Sequence, residues 1–276
     1  MGEQSYLDAL VVRTVTYRYR KRSFSFDLTQ ALFSSAGVDS GTHLLLSLLA
    51  EELDLERYDR IVDLGSGTGT LGISLAGSTD ASLEAFDRDA CAAAFTRRNA
   101  TKNGLSDASI RTELLLPEYP GEGRELVVSN LPAKAGGPVL RLLIEQITRR
   151  AALSGGESAL VVVKPLADTL ASILDELGTE PVAQRRTANH AAVIYRCTHP
   201  TIHAPEREPL PPAFVRTRAG FQGPVRPYEL DTVHNLPEFD GLAFRTALAF
   251  DLMRATKLSG PALVLGCGQG HIPVGL

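Results

Sequence analysis

The chain has 276 residues, of which 44% are hydrophobic, and its formal net charge is −4. That length suits one large domain or two smaller ones, and the hydrophobic content excludes a disordered chain. No apolar run approaches the roughly 20 residues of a membrane-spanning helix, and the first ten residues lack the basic-then-apolar build of a signal peptide. We therefore expect a cytoplasmic protein without a membrane partner.

The cysteines indicate neither a disulfide framework nor a metal site. Cys91, Cys197 and Cys267 lie far apart, with no CxxC pair and no nearby histidine cluster. Such spacing is unlike that of structural zinc sites, so we expect no metal. The negative net charge excludes a uniformly basic protein that coats nucleic acid, but it leaves a local basic patch open.

Residues 1–30 are predicted to form a basic β extension. The stretch from residue 10 to residue 26 is rich in β-branched and aromatic side chains with partial alternation, which favours strands over a helix. Its five basic residues are Arg13, Arg18, Arg20, Lys21 and Arg22. Two interpretations stay open for these charges: a strand edge protected by solvated charge, or a surface that contacts phosphate.

Residues 31–198 predict a doubly wound α/β domain. Short apolar strands alternate with helical runs, which indicates a mostly parallel sheet covered on both faces. The predicted strands are 60–65, 82–87, a segment near Ile110, 125–130, 158–164, 182–186 and 191–196. The predicted helices are 42–53, one from Thr70, one ending at Gly104, 139–153 and 167–178.

A proline-rich segment follows this domain. Seven prolines lie between Pro200 and Pro227, which argues against a helix or a central strand. We therefore predict a linker or extended arm over residues 199–238, with ordered structure resuming near Phe239.

The last residues repeat an earlier part of the chain. Residues 262–276 match residues 61–75 at an offset of 201, and Val215-Arg216-Thr217 echoes Val12-Arg13-Thr14 at an offset of 203. So long a period is typical of a duplicated domain and not of a solenoid. We expect residues 239–276 to be the truncated start of a second copy, since one strand cannot make a sheet.

A glycine-rich turn carries the main functional signal. Asp63-Leu64-Gly65-Ser66-Gly67-Thr68-Gly69 joins a predicted strand to a predicted helix. Glycines permit positive φ and let a ligand approach bare backbone, while the helix start offers unpaired N–H groups. These features predict an adenosine-containing cofactor. The turn also satisfies GxGxxG from Gly67 to Gly72, so by itself it does not exclude a dinucleotide.

Neighbouring residues separate the two kinds of cofactor. Asp87 ends the next strand, where a carboxylate can accept both ribose hydroxyls of either cofactor. Asp63 before the first glycine, and Asn130-Leu131-Pro132 at the end of the fourth strand, favour S-adenosylmethionine because a dehydrogenase has no special need for them. A structural role for Asp63, in capping the turn, stays open.

These segments resemble the successive motifs of class I S-adenosylmethionine-dependent methyltransferases, which have a Rossmann-like sheet. The segments are VDLGSGTGTLG, AFD ending at Asp87, RNATKNGL and VVSNLP. The preceding FSFDLTQALFSSAGVDSGTHLLLSLL is similar to the lead-in of the ribosomal-RNA guanine N-methyltransferases of the "methyltransferase small" family. The resemblance covers about residues 17–197.

The resemblance implies a role for each site residue. Gly65, Gly67 and Gly69 would hold the amino-acid end of the cofactor, Asp63 its ammonium group by way of the loop, and Asp87 its ribose. Asn130, Leu131 and Pro132 would form the catalytic segment. In it, Asn130 and the Leu131 carbonyl would orient the amino group being methylated. The implied partner is RNA, and the oligomeric state stays open.

The sequence departs from the family pattern at two places. The family has Asn-Pro-Pro followed by an aromatic residue, whereas this chain ends the motif with Ala133, and Leu114-Leu115-Leu116 stands where the third strand usually ends in an acid. In the second copy Val264 replaces the counterpart of Asp63, so we expect a weak cofactor binder or a structural partner. Two alternatives therefore stay open: a methyltransferase of a small molecule or protein side chain, and a catalytically silent module that binds RNA or a partner domain.

Overall fold

The computed structural model describes residues 3–32, 37–117, 122–198, 211–234, 236–238, 241–256 and 260–276. The chain divides into two compact units. The first comprises Met1–Ala133 and Leu143–Ala204, and the second comprises Lys134–Leu142 and Pro205–Leu276.

The first unit begins with a helix and a hairpin. Helix α1 (Glu3–Leu10) was not expected from the sequence, whereas the antiparallel strands β1 (Arg13–Tyr19) and β2 (Arg22–Leu28) confirm the predicted N-terminal strands. Phe24 and Phe26 of β2 are buried in the core. One face of the hairpin, which carries Tyr19, Phe24 and Phe26, therefore packs on the core, whereas Thr14 and Thr16 are exposed.

A seven-stranded sheet forms the centre of the first unit. Its strands are β3 (Arg60–Leu64), β4 (Ser82–Asp87), β5 (Ser109–Thr112), β6 (Glu125–Asn130), β7 (Glu157–Val163), β8 (Glu180–Arg186) and β9 (His190–Arg196). They lie in the order β5-β4-β3-β6-β7-β9-β8, and β9 runs in the direction opposite to the other six strands. The predicted α/β class with a mostly parallel sheet is confirmed.

Helices follow or precede the strands as the sequence predicts. They are α2 (Ser40–Glu52), α3 (Thr70–Ala76), α4 (Ala90–Lys102), α5 (Gly137–Leu153) and α6 (Ala167–Glu176). Helix α2 packs against β7, β8 and β9, and its leucines Leu45, Leu46, Leu48 and Leu49 are almost fully buried. Each such leucine contributes about 1.5–3 kcal/mol of burial free energy, so α2 is fixed on the sheet.

Buried ion pairs join the strands near their amino ends. Arg150 of α5 is 3% exposed and pairs with Glu84 of β4 and Glu125 of β6. Arg60, the first residue of β3, donates to the same Glu125 at 2.8 Å. This network ties three strands together at one edge of the sheet, which leaves the opposite edge, at the carboxyl ends, for a site.

The second unit corrects the expectation of a linker. Strands β10 (Val215–Gln222) and β11 (Pro227–Val233) form an antiparallel hairpin, so the expectation that order resumes only near Phe239 is wrong. Proline is tolerated at the first residue of β11 and, as Pro224, in the loop between the strands. The remaining part of the expected linker, residues 199–210, and Phe239 itself lie outside the described residues.

The order of elements in the second unit repeats that of the first. The hairpin is followed by α7 (Phe244–Ala255), a glycine turn and α8 (His271–Gly275), as β1 and β2 are followed by α2, a glycine turn and α3. Gly266, Gly268 and Gly270 adopt φ of +69°, +54° and +94°. In the described stretch 260–276 no strand precedes this turn. The shared order supports a duplication.

Candidate cofactor and substrate site

The first glycine turn leaves bare backbone at the carboxyl end of β3. Gly65, Gly67 and Gly69 adopt φ of +77°, +59° and +82°, a region that side-chain-bearing residues rarely occupy. The N–H groups of Gly65 and Ser66 donate to the Phe86 carbonyl at 2.8 and 3.1 Å, which ties the turn to β4. A Cβ placed on Gly65 or Gly67 would meet no atom within 4 Å. The surface over the turn is therefore open to a ligand.

Asp87 lies beside this turn, at the end of β4. Its Oδ2 accepts from the Gly67 N–H at 2.9 Å, and its Oδ1 accepts from the Asp89 N–H at 2.9 Å. Burial raises the pKa of Asp87, and the two N–H groups oppose that effect. Since a carboxylate has about four acceptor positions, two remain for the hydroxyls of a ribose.

Asp63 is buried beneath the turn. It is 1% exposed, and its Oδ2 accepts from the Gly72 N–H of α3 at 2.9 Å. Burial raises the pKa of Asp63 to about 7, the Gly72 N–H opposes the rise, and the charge of Asp87 adds to it. A Cβ on Gly72 would come within 2.8 Å of Asp63 Oδ2, so the glycine permits the contact. Asp63 thus supports the turn from below.

The repeated segment near the end of the sequence has neither partner of this hydrogen bond. At the offset of 201 residues, Val264 corresponds to Asp63 and Pro273 corresponds to Gly72. Proline has no backbone N–H, so a carboxylate at position 264 would have no donor to bind there. The paired change favours the structural role for Asp63 that the sequence left open.

Asn130 ends β6 next to the turn. The Ser129 hydroxyl donates to the Leu64 carbonyl at 2.7 Å, which brings the end of β6 against the end of β3. The Leu131 N–H donates to the Val161 carbonyl of β7 at 3.0 Å, and Leu131 is 3% exposed. Pro132 is exposed. The sheet therefore brings the predicted catalytic segment and the glycine turn to one edge.

Helix α2 contributes two residues that the sequence analysis missed. Asn130 Nδ2 donates to Asp39 Oδ2 at 2.8 Å and to Thr42 Oγ1 at 3.1 Å. Asp39 is the N-cap of α2, and it lies 91 residues before Asn130. A capping signature before a helical run was visible in the sequence, but the contact with a distant strand end was not.

The end of β5 also differs from the sequence expectation. The strand ends at Thr112, so the residue at its end is Glu113 and not the expected Leu114-Leu115-Leu116. The Glu113 N–H donates to the Asp87 carbonyl at 2.9 Å. The expectation that no acid stands there is wrong, because the pairing of β5 with β4 stops earlier than the apolar run suggested.

The N-terminal hairpin keeps part of its positive charge exposed. Arg20 pairs with Glu56 at 3.1 Å, and Asp27 of β2 pairs with Arg98 and Lys102 of α4. The exposed basic residues Arg18, Lys21 and Arg22 lie at or beside the turn of the hairpin. The turn of the hairpin therefore presents positive charge to solvent.

The described ranges hold no cluster of three or more histidine, cysteine or acidic residues arranged to bind a metal. Within those ranges, the search for an apolar helix long enough to cross a bilayer found none.

The chain is similar in sequence to known methyltransferases. The sequence profile described as "Methyltransferase small domain" matches residues 23–187. A ribosomal RNA small subunit methyltransferase C from Chromohalobacter salexigens is 31% identical over 149 residues, which are 52% of this chain and 43% of the relative. A ribosomal protein L11 methyltransferase from Exiguobacterium sp. is 35% identical over 120 residues, which are 42% of this chain and 36% of the relative.

Solved structures show the same fold. The Thermus thermophilus 16S rRNA N2 G1207 methyltransferase (RsmC), in complex with AdoMet and guanosine, has a TM-score of 0.53 and 23% identity. The match covers 67% of this chain and 50% of that one. The chain thus spans less than half the length of these two ribosomal relatives, and half of the solved structure.

Proposed function

Since this chain belongs to the methyltransferase small domain family and is an S-adenosylmethionine-dependent methyltransferase, we propose that it methylates an exocyclic amine of RNA, namely a guanine amino group of ribosomal RNA. The observation that carries the proposal is the position of Asn130, beside the open glycine turn and with an acceptor oxygen available.

The residues present fit the cofactor. Gly65 and Gly67 leave room over the turn, and the carboxylate of Asp87 has acceptor positions left for ribose hydroxyls. Glu113 follows β5 directly after the residues that pair with β4, at the same sheet edge as Asp87. We assign the ribose to Asp87 and the amino-acid end to the backbone of Gly65, Gly67 and Gly69.

Residues of this chain would favour the nucleophilic form of the substrate amine. S-adenosylmethionine supplies a methyl group whose bond to a positively charged sulfur makes it electrophilic. The lone pair of a guanine amino group is delocalised into the ring, so acceptors for its hydrogens favour the nucleophilic form. Asn130 Oδ1 and the Leu131 carbonyl would accept hydrogen bonds from the amino group. Alignment of the amine with the methyl group provides the main acceleration.

RNA is favoured over other substrates by two observations. A relative that is 31% identical carries a ribosomal RNA methyltransferase name. Arg18, Lys21 and Arg22 add exposed positive charge to the same unit, which suits contact with phosphate.

A second candidate substrate is an amine of a protein. Ala133 is exposed and stands where the family motif has an aromatic ring. A base in that position would lose stacking that contributes about 1–3 kcal/mol in other systems. A ribosomal protein L11 methyltransferase is also among the relatives. This candidate keeps the same cofactor residues and the same use of Asn130.

Labelled methyl transfer to unmodified small-subunit ribosomal RNA, with ribosomal protein L11 in a parallel reaction, tests the proposal. We expect label in the RNA, and we expect Asn130→Ala to abolish transfer while calorimetry still detects binding of S-adenosylmethionine. Label only in the protein would favour the second candidate. Unchanged transfer by Asn130→Ala would show that another residue orients the amine.

Salt dependence of RNA binding tests the basic hairpin. The double variant Lys21→Glu, Arg22→Glu should lower the slope of log affinity against log salt by about 1 for each lost phosphate contact. Arg196→Glu is the matched control, because this exposed arginine ends β9 and does not belong to the hairpin. Equal slopes for the two variants would remove the hairpin from the RNA-binding surface.

A further inference from the structure

The orientation of the Asn130 amide is fixed by helix α2. The Nδ2 group donates both of its hydrogens, one to Asp39 Oδ2 and one to Thr42 Oγ1. A carboxylate oxygen can only accept, so the amide nitrogen and not the amide oxygen must face Asp39. The hydrogen bonds among the described residues leave Asn130 Oδ1 unused.

Asp39 is itself held in place. The same Oδ2 accepts from the N–H groups of Gly41 at 2.9 Å and Thr42 at 3.2 Å, at the start of α2. A Cβ on Gly41 would lie 2.8 Å from Asp39 Oδ2 and 3.0 Å from His190 Cδ2, so glycine is needed for the close approach. Thr42 is buried at 7% exposure. The acceptors for Asn130 are therefore rigid.

We propose that Asp39 and Thr42 are positioning residues for methyl transfer. They hold the Asn130 amide so that its nitrogen faces Asp39 and Thr42 and its oxygen faces the amine of the substrate. This inference rests on the proposed role of Asn130. Without the two acceptors the amide rotates, and it presents an N–H group to the amine as readily as an oxygen. An N–H group cannot accept a hydrogen bond from the amine. Methyl transfer is therefore supported only by the orientation in which Asn130 Oδ1 faces the amine.

Asp39 has a second role, so the variants must separate capping from positioning. Asp39→Ser keeps an N-cap oxygen for α2, since serine is a preferred capping residue, but it is too short to reach Asn130. Asp39→Asn keeps an acceptor oxygen at the same length. Thr42→Val removes the hydroxyl with little change of shape, and Thr42→Ser restores it.

Kinetics of methyl transfer to small-subunit ribosomal RNA are the first test. Asp39→Ser and Thr42→Val should lower kcat by about 10–100-fold, because misplacement of a reacting group by about 1 Å has effects of this size. The KM and the dissociation constant for S-adenosylmethionine should stay within about twofold, and Thr42→Ser and Asp39→Asn should recover most of the loss. An unchanged kcat in both Asp39→Ser and Thr42→Val would overturn the proposal.

The side-chain amide signals of Asn130 in nuclear magnetic resonance spectra are a second test that needs no substrate. We expect Thr42→Val and Asp39→Ser to shift both Nδ2 proton signals and to speed their exchange with water, while Thr42→Ser leaves them near their original positions. Unchanged signals in Thr42→Val would overturn the proposal.

The two experiments separate failure of this inference from failure of the proposed function. If wild type transfers no label to RNA while the Asn130 signals respond as expected, the substrate assignment fails and the positioning contact stands. If Asn130→Ala is inactive while Asp39→Ser and Thr42→Val both retain full kcat, Asn130 is essential but its positioning by Asp39 and Thr42 is excluded.

Discussion

Replacement of Asp63 with asparagine should stabilise the protein at neutral and alkaline pH. Asparagine keeps an oxygen that can accept the Gly72 N–H, but it removes a charge from a side chain that is 1% exposed. Burial raises the pKa of Asp63 from its ordinary 3.8 to about 7, so ionisation in the folded state opposes folding. The folded state binds more protons than the unfolded state between these two values, and stability therefore falls as pH rises through this interval.

The size of the effect follows from the two pKa values. A rise from 3.8 to about 7 corresponds to about 4 kcal/mol above pH 7, which is an upper bound because local relaxation reduces it. Part of this cost is already present at about pH 5.5, where the unfolded chain is ionised and the folded chain is not. The free energy of unfolding of Asp63→Asn, relative to wild type, should therefore increase by about 2 kcal/mol between about pH 5.5 and about pH 8.

Urea denaturation at several pH values measures this difference. Asp89→Asn is the matched control, since it neutralises an exposed carboxylate that also accepts a backbone N–H. A pH-independent difference between Asp63→Asn and wild type would refute the reasoning. Calorimetry with S-adenosylmethionine adds a second readout: a support role predicts a dissociation constant within about threefold of wild type, whereas a direct contact with the ammonium group predicts a loss of about 10-fold or more.

Three further predictions concern Asp87, Arg150 and Asp27. Asp87→Ala should weaken S-adenosylmethionine binding by about 10–100-fold in calorimetry, because hydrogen bonds to a charged group contribute about 1.5–3 kcal/mol each; unchanged affinity would remove Asp87 from the ribose site. Arg150→Met should lower the free energy of unfolding in urea by about 3–5 kcal/mol, since Glu84 and Glu125 lose their buried partner; a loss below about 1 kcal/mol would mean that their other partners suffice. Burial disfavours the charge of Asp27, but bonds from Lys102, Thr14 and Arg98 outweigh it and hold the pKa at about 2, so stability present above about pH 4 should be lost as pH falls towards 2. Acid unfolding of Asp27→Asn should lack this component, and identical acid transitions would contradict it.

The sequence predicted the elements whose signal is local. Ser82–Asp87 and Glu125–Asn130 have the bounds predicted from the sequence, because strands of a buried parallel sheet are rich in hydrophobic residues and both of these segments end at a polar residue. The glycine turn was equally visible, since only glycine adopts its φ angles without strain.

The sequence did not predict features that depend on distant partners. The contact of Asp39 with Asn130 spans 91 residues, and each residue alone is accounted for by a helix cap or a strand end. The end of β5 depends on how far its pairing with β4 extends, and an apolar run beyond it obscured the acid at Glu113. In the second unit, the count of prolines hid a hairpin, because the position of each proline in a strand matters more than the number.

The two glycine turns share a backbone conformation but differ in the residues around it. Gly266, Gly268 and Gly270 reproduce the positive φ angles of the first turn within the described stretch 260–276, although no strand precedes them there. The conformation of the loop thus does not require a preceding strand, whereas ligand binding by the first turn also uses a side chain that a neighbouring strand brings to it, that of Asp87. The substitutions Val264→Asp and Pro273→Gly would therefore give the second turn the hydrogen bond that Asp63 makes in the first, because position 273 would again carry a backbone N–H.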